Sequence, residues 1–185
     1  MRPSSARAIA PPPNPFDDDG DDDLSDGIAV ASGSAAQSLP SADELLQLSG
    51  EDSLGQIREL VLRDRGLRDI GDLLATLPRL EVLSLSNNCL HTLNCWPPLP
   101  ELTVLNVNFN RLASLEPLAG CTRLAKLYAA SNKVGAIASL SACTEFRTLS
   151  LYRNRIGSLE ATVDVLAALP QLSELDLGSN PCAIG

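Results

Sequence analysis

The chain has 185 residues, of which 44% are hydrophobic but only 3% aromatic, so its core must be built from many small aliphatic contacts. The formal net charge is −9, and the sequence shows no basic stripe of the kind that displaces counterions from phosphates, which argues against nucleic-acid binding. No stretch approaches the roughly 18 apolar residues that a membrane-spanning helix needs.

The first segment, residues 1–40, is rich in Pro, Asp, Ser, Ala and Gly. It holds seven aspartates against two arginines, a net charge of −5. Such a segment buries too little apolar surface to offset its ordering entropy, so we predict a disordered acidic, proline-rich tail. Two interpretations stay open: a solubilising tail, which is favoured, or an electrostatic attractant for basic partners.

Order is predicted to begin at Ser41. The run Ser41-Ala42-Asp43-Glu44 has the form of a capping box, in which the serine caps the helix and the glutamate reaches back to it. Apolar leucines follow directly. We therefore predict a capping helix over 41–49 that shields one end of the structured region, residues 41–185.

A repeated pattern, L-x-x-L-x-L-x-x-N-x-L-x-x-L, fills residues 57–182 with about six copies. The first copy is degenerate and has Arg65 at the asparagine position. The five later copies carry Asn88, Asn110, Asn132, Asn154 and Asn180. Successive steps are 23, 22, 22, 22 and 26 residues, a regularity that indicates a solenoid in which each repeat is stable only when stacked on its neighbours.

The pattern predicts an α/β solenoid with a concave parallel sheet. Each L-x-L is a short strand with inward leucines, and short helices or 3₁₀ turns occupy the convex side. The asparagines are predicted to form a structural ladder, because their amides can bond backbone groups left unpaired in the buried turn. The longer last step predicts a longer convex helix around 160–169.

The 22-residue pattern resembles the short class of leucine-rich repeats found in the nuclear regulatory subunit of protein phosphatase 1 and in an axonemal dynein light chain. The same class occurs in a spliceosomal U2 protein. Residues 53–71 and 105–119 resemble a narrower group, the one around leucine-rich repeat-containing protein 61. The resemblance implies adaptor function rather than an activity.

One departure from that class concerns the end of the pattern. Members continue past the final asparagine-proline with a capping helix and a last strand, whereas only three residues follow Cys182 here. The last repeat is then expected to expose an apolar edge. The expectation is that the chain is a fragment or comes from a short gene model, or that a partner covers the end.

A partner-binding surface is predicted on the concave face, at positions that alternate with the inward leucines. Three of the six aromatic residues fall there. Tyrosine and arginine are enriched among interface hot spots, so we predict a binding patch. Its members are Phe109, Tyr128, Tyr152, Lys126, Arg153, Asn106 and Asn108. The alternative is that these are ordinary exposed residues.

Catalytic, metal and cofactor sites are not predicted. The single histidine, His91, follows an inward leucine in a turn and has no nucleophile at a supporting spacing. The five cysteines include no CxxC pair. Cys121 and Cys143 occupy equivalent places in adjacent repeats and are expected to be small core residues rather than zinc ligands.

The function predicted from these observations is a non-catalytic scaffold that binds a protein partner on its concave face. The alternative is a regulatory subunit of a phosphatase or of an axonemal or cytoskeletal motor complex, and an RNA-associated scaffold is a weaker third. No direct nucleic-acid, membrane or small-molecule partner is expected. Reduced thiols predict a cytoplasmic protein, with cytoskeletal or ciliary sites as narrower alternatives and a nuclear site less favoured.

Overall fold

A computed structural model describes residues 39–94 and 96–183. Most of the predicted tail, residues 1–38, lies outside the described residues. The described part is built on a six-stranded parallel sheet in which the strands follow one another in chain order. The strands are β1 Glu59–Val61, β2 Val82–Ser84, β3 Val104–Asn106, β4 Lys126–Tyr128, β5 Thr148–Ser150 and β6 Glu174–Asp176.

The register of the sheet aligns the middle leucine of every strand. Leu60 lies opposite Leu83, and the same column continues to Leu105 and beyond. These leucines are buried from β1 to β5, because the period of the sequence equals one turn of the solenoid. The fold prediction, a parallel-sheet solenoid, is therefore confirmed.

The convex side carries short 3₁₀ turns and one longer helix. The 3₁₀ turns are Leu54–Gln56, Leu73–Thr76, Glu116–Gly120, Ala138–Ala142 and Pro181–Ala183. The helix α2 spans Leu159–Ala167, where the last repeat has its four additional residues. Ser158 caps this helix by accepting a hydrogen bond from the Ala161 amide.

The first strand is flanked by the helix α1, Ala42–Ser49. The Ser41 hydroxyl accepts the Glu44 amide at 3.2 Å, and Gly50 ends the helix in the left-handed conformation. The expected return bond of the capping box is absent among the described residues. Glu44 instead pairs with Arg65, which stands at the asparagine position of the first repeat and so ties that repeat to α1.

The last strand has one free edge within the described residues. Leu175 of β6 is 44% exposed, whereas the matching leucines of β1 to β5 are at most 1% exposed. The expected apolar edge is therefore present in the structure. Among the described residues, no helix has both the length and the apolar character that crossing a bilayer requires.

Candidate partner-binding surface

The asparagines of the repeats are buried and bonded to backbone groups of two successive turns. The Asn132 carboxamide accepts the Leu112 amide at 3.0 Å and donates to the carbonyl of Val107 at 2.9 Å. Asn110 and Asn154 make the equivalent bonds one repeat earlier and later. The ladder side chains therefore hold the turn that follows each strand in a fixed place.

That turn has an unusual backbone conformation in every repeat. The residue just before the ladder position has a positive φ, between 53° and 59°. The six residues are Asp64, Asn87, Phe109, Ser131, Arg153 and Ser179. Aspartate and asparagine tolerate this left-handed region because their short side chains can bond locally, whereas a bulky side chain is strained there.

Phe109 and Tyr152 are the two aromatic residues with the most exposed rings among the predicted site residues. Phe109 is 58% exposed and Tyr152 is 44% exposed. The Tyr152 ring lies against Gly178, where a β-carbon would come within 3.1 Å of the Tyr152 Cδ2 atom. Tyr128 is half-buried between them along the sheet. The structure thus places three aromatic residues on neighbouring repeats.

Asn106 and Asn108 were predicted from the sequence to be exposed members of the patch, and this prediction is wrong. They are only 2% and 8% exposed. The Asn106 carboxamide oxygen accepts the Asn108 amide at 3.0 Å, and the Asn108 oxygen accepts the Ala130 amide at 2.7 Å. Because short polar side chains fold back onto nearby backbone donors, these two residues support the sheet and offer little to a partner.

The two predicted cations of the site, Lys126 and Arg153, are both exposed. Neither takes part in an ion pair with any residue of the described ranges. Their charge is therefore open to a partner. The sequence-predicted group thus reduces to Phe109, Tyr128, Tyr152, Lys126 and Arg153.

The cysteines at equivalent positions are buried in the core. The indole nitrogen of Trp96 donates to the Cys121 sulfur at 3.3 Å. Burial raises the pKa of Cys121, and burial together with the neighbouring Cys121 raises the pKa of Cys143 from 9.0 to about 11. Both thiols are therefore protonated at neutral pH. Within residues 39–94 and 96–183 no cluster of three or more potential metal ligands occurs.

His91 lines an open cleft of about 300 Å³ on the convex side, together with Asn94, Ser114 and Glu116. The His91 ring is exposed and makes no hydrogen bond to any described residue. A general base needs hydrogen-bond reach to a nucleophile, and the described part of this cleft shows no such pair.

The fold and the ladder together define a class of protein, the parallel-sheet solenoid in which buried asparagines join successive turns. Within that class, a family model described as leucine rich repeat matches residues 55–112. Residues 55–112 therefore match the repeat family that the sequence pattern resembles. Comparison with curated proteins gives no match, so the narrower likeness to the group around leucine-rich repeat-containing protein 61 stays a prediction.

Solved structures of bacterial internalins share the fold. An internalin (inlF) from Listeria monocytogenes matches with a TM-score of 0.54 and 28% identity over 58% of this chain. The chain spans 31% of that protein's length. Internalin C2 from the same organism matches with a TM-score of 0.55 and 22% identity. The match covers 75% of this chain and 73% of the internalin C2 chain. Repeat solenoids of this kind present extended concave binding surfaces, which supports a protein-interaction scaffold.

Proposed function

We propose that the chain is a non-catalytic scaffold that captures a protein partner on the concave face. The capturing patch consists of the exposed residues Phe109, Tyr152, Lys126 and Arg153 and the half-buried Tyr128. The observation that carries the proposal is the conformation of Phe109 and Arg153. Both occupy the left-handed position of their repeats, and both side chains are exposed.

The other four repeats show what this position favours for folding alone. They carry Asp64, Asn87, Ser131 and Ser179, which are small polar residues. Holding a larger L-residue in the left-handed region costs about 1–2 kcal/mol. The exposed Phe109 ring recovers little of that by burial, so its presence suits contact with another molecule better than it suits the fold.

The neighbouring side chains extend the patch. Tyr152 lies one strand before the exposed end of the sheet, and its ring is held from one side by the backbone at Gly178. A ring that is already held loses little rotamer freedom on binding. Tyrosine and arginine are enriched among the residues that contribute most to binding at protein interfaces.

We propose a cytoplasmic location for the chain, with cytoskeletal or ciliary sites as narrower alternatives and a nuclear site less favoured. Four cysteines of the described residues, Cys89, Cys121, Cys143 and Cys182, are free thiols, which suits a reducing compartment. The resemblance to a phosphatase regulatory subunit and to an axonemal light chain supports the alternative that binding regulates an enzyme or motor.

The test is affinity purification from cell lysate with quantitative mass spectrometry. Phe109→Asn and Tyr152→Ala should each reduce recovery of specific partners by at least about tenfold, the loss of one interface hot spot. Val163→Ala is the matched control, because Val163 is exposed on the convex helix α2. The proposal is wrong if both patch variants recover the same proteins as wild type, or if the control loses them equally.

The identity of the recovered proteins separates the two functional alternatives. Phosphatase catalytic subunits or motor ATPases among the patch-dependent partners would favour the regulatory alternative. The regulatory alternative is then tested by measuring the activity of the recovered enzyme with and without the chain. An unchanged activity in the bound complex would leave the passive scaffold as the function.

A further inference from the structure

The charge of the chain is divided sharply along its length. Residues 103–155 hold seven basic side chains and two acidic ones, a net charge of +5 in a chain whose total is −9. The preceding segment, residues 41–102, holds ten acidic and five basic residues, and residues 156–185 hold four acidic and none basic. The repeats in the middle of the solenoid are therefore a positive band between two negative ends.

The cations of this band have no ion-pair partner in the described part of the chain. All seven are exposed. The ion pairs that the described residues do form, namely Arg58–Glu81, Arg63–Asp64 and Arg65–Glu44, lie in the first two repeats and α1. The acidic residues of the first two repeats and α1 are therefore partly neutralised by ion pairs, whereas the cations of the positive band are not.

Three of these cations are stacked in register. Arg111, Lys133 and Arg155 each follow a ladder asparagine, and their exposed side chains leave the same place in successive turns. The backbone amide of each donates to the preceding repeat, to the carbonyls of Leu90, Leu112 and Val134, at 2.8, 2.9 and 2.9 Å. Arg153 lies two residues before Arg155. We call Arg111, Lys133, Arg153 and Arg155 the basic rim.

A stack of like charges is unfavourable for the isolated domain. Neighbouring turns of a parallel sheet are about 4.8 Å apart, well inside the Debye length of about 8 Å at physiological ionic strength. The three cations lie five residues beyond the strands β3, β4 and β5, but like charges within a Debye length of each other still repel. A bound anion would remove this repulsion, and Phe109, which lies two residues before Arg111, would add an apolar contact.

We propose that the basic rim binds a short acidic segment of the protein partner. The proposal rests on the proposed scaffold function and adds the chemistry of the bound segment. Three turns cover about 10 Å, the length of three or four extended residues. Carboxylates alternating with apolar side chains would place the acids on the rim and the apolar groups against Phe109.

The negative ends of the solenoid favour a short acidic peptide over a nucleic acid. A polyanion longer than the positive band would run over Glu174 and Asp176 of β6 in one direction and over the acid-rich first repeats in the other. Repulsion there opposes the counterion release that drives nucleic-acid binding. A segment of a few residues avoids both ends.

The experiment measures fluorescence anisotropy with the full chain and a labelled hexapeptide of alternating glutamate and leucine. A lysine–leucine peptide and a 20-nucleotide single-stranded DNA are the comparison probes. Of the three probes, we expect only the glutamate peptide to bind. Its affinity should be at least about tenfold lower for the double variant Lys133→Glu with Arg155→Glu, called the rim variant. Raising the salt from about 25 to 200 mM should weaken peptide binding to wild type much more than peptide binding to the rim variant.

The matched control is Arg68→Glu with Arg79→Glu, a double charge reversal at exposed positions outside the band. It should bind the glutamate peptide within about twofold of wild type. Three outcomes overturn the proposal: unchanged binding in the rim variant, equal loss in the control, or tighter binding of DNA than of peptide. Carbodiimide cross-linking of Lys133 to Asp17–Asp23 in the free monomer would also overturn it, since the chain's own tail would then occupy the rim.

Failure of this inference is distinguishable from failure of the proposed function. If Phe109→Asn and Tyr152→Ala lose their partners in lysate while the rim variant keeps them, the scaffold stands and the acidic-segment proposal falls. If the rim variant loses peptide binding but the patch variants keep all partners, the rim binds anions and the concave patch is not the capture surface.

Discussion

Replacing the central ladder residue, Asn132→Ala, tests what the buried asparagines contribute. Among the described residues, the carboxamide oxygen of Asn132 is the one acceptor of the buried Leu112 amide, at 3.0 Å. On the other side, the amide nitrogen donates to the carbonyls of Val107, Ala129 and Ala130, at 2.9, 3.2 and 3.2 Å. The variant removes all four contacts at once.

The four contacts do not count equally, because the ladder shares its acceptors. The Val107 carbonyl keeps a bond from Asn110 at 3.1 Å, and the Ala129 carbonyl keeps one from Asn154 at 2.8 Å. The Leu112 amide keeps none among the described residues. An orphaned buried donor costs about 1–3 kcal/mol, so we expect a loss of about 2–3 kcal/mol once the small void is included.

Urea unfolding followed by circular dichroism measures this loss, and thermal unfolding should show a decrease of roughly 5–10 °C for a domain of this size. Asn94→Ala is the control, since Asn94 is exposed and outside the ladder. It should stay within about 0.5 kcal/mol of wild type. A loss below about 0.5 kcal/mol for Asn132→Ala, or an equal loss for Asn94→Ala, would refute the reasoning.

Phe109→Asn should raise the free energy of unfolding by about 0.5–1 kcal/mol in the same urea assay, because asparagine tolerates the left-handed backbone better; a decrease would show that the ring stabilises the fold. Arg65→Met should lower it by about 0.5–1 kcal/mol by removing the pair with Glu44, and salt should reduce the difference. The folded pKa of Cys143 is raised from 9.0 to about 11, so its stabilising contribution is complete below pH 9 and is lost as the pH rises to 11. Melting temperatures between pH 8 and 11 should fall less steeply in Cys143→Ala, and parallel slopes would contradict this.

The fold could be predicted from the sequence because one period fixes both the local and the long-range structure. Leucines and asparagines recurring every 22 or 23 residues specify a strand, a turn and the register between neighbours. The extra residues before Pro170 likewise predicted the convex helix α2, and the structure contains it. In a solenoid, sequence neighbours are also spatial neighbours, so little depends on distant contacts.

The site was less predictable, for reasons that concern side chains rather than backbone. Asn106 and Asn108 were expected to face a partner, but a carboxamide can fold back onto an adjacent amide as easily as it can point outward. The alternation of side chains along a strand predicts on which face of the sheet a residue lies. It does not predict whether the side chain points outward or folds back onto the backbone. The positive φ of Phe109 was also not foreseen, although aspartate, asparagine and serine at the equivalent positions were a readable signal.

The positive band was missed because the charge outside the tail was summed over all of residues 41–185 and not segment by segment. Outside the tail the net charge is −4, which reads as mildly acidic. Only the register of the repeats shows that Arg111, Lys133 and Arg155 are stacked. Writing the sequence in rows of 22 residues would have revealed the column.

The sharing of carbonyls between successive asparagines also has a consequence for how the molecule opens. Each ladder residue bonds to the backbone of two turns, so it stabilises the junction between two neighbouring repeats. The stability of such a solenoid is approximately a sum of repeat terms and of terms for the interfaces between neighbouring repeats. Within the described residues, opening should therefore start at the free edge of β6 and advance junction by junction toward β1. Among the amides that donate to ladder asparagines, hydrogen exchange is then expected to be fastest at Ile156 and slowest toward Leu67.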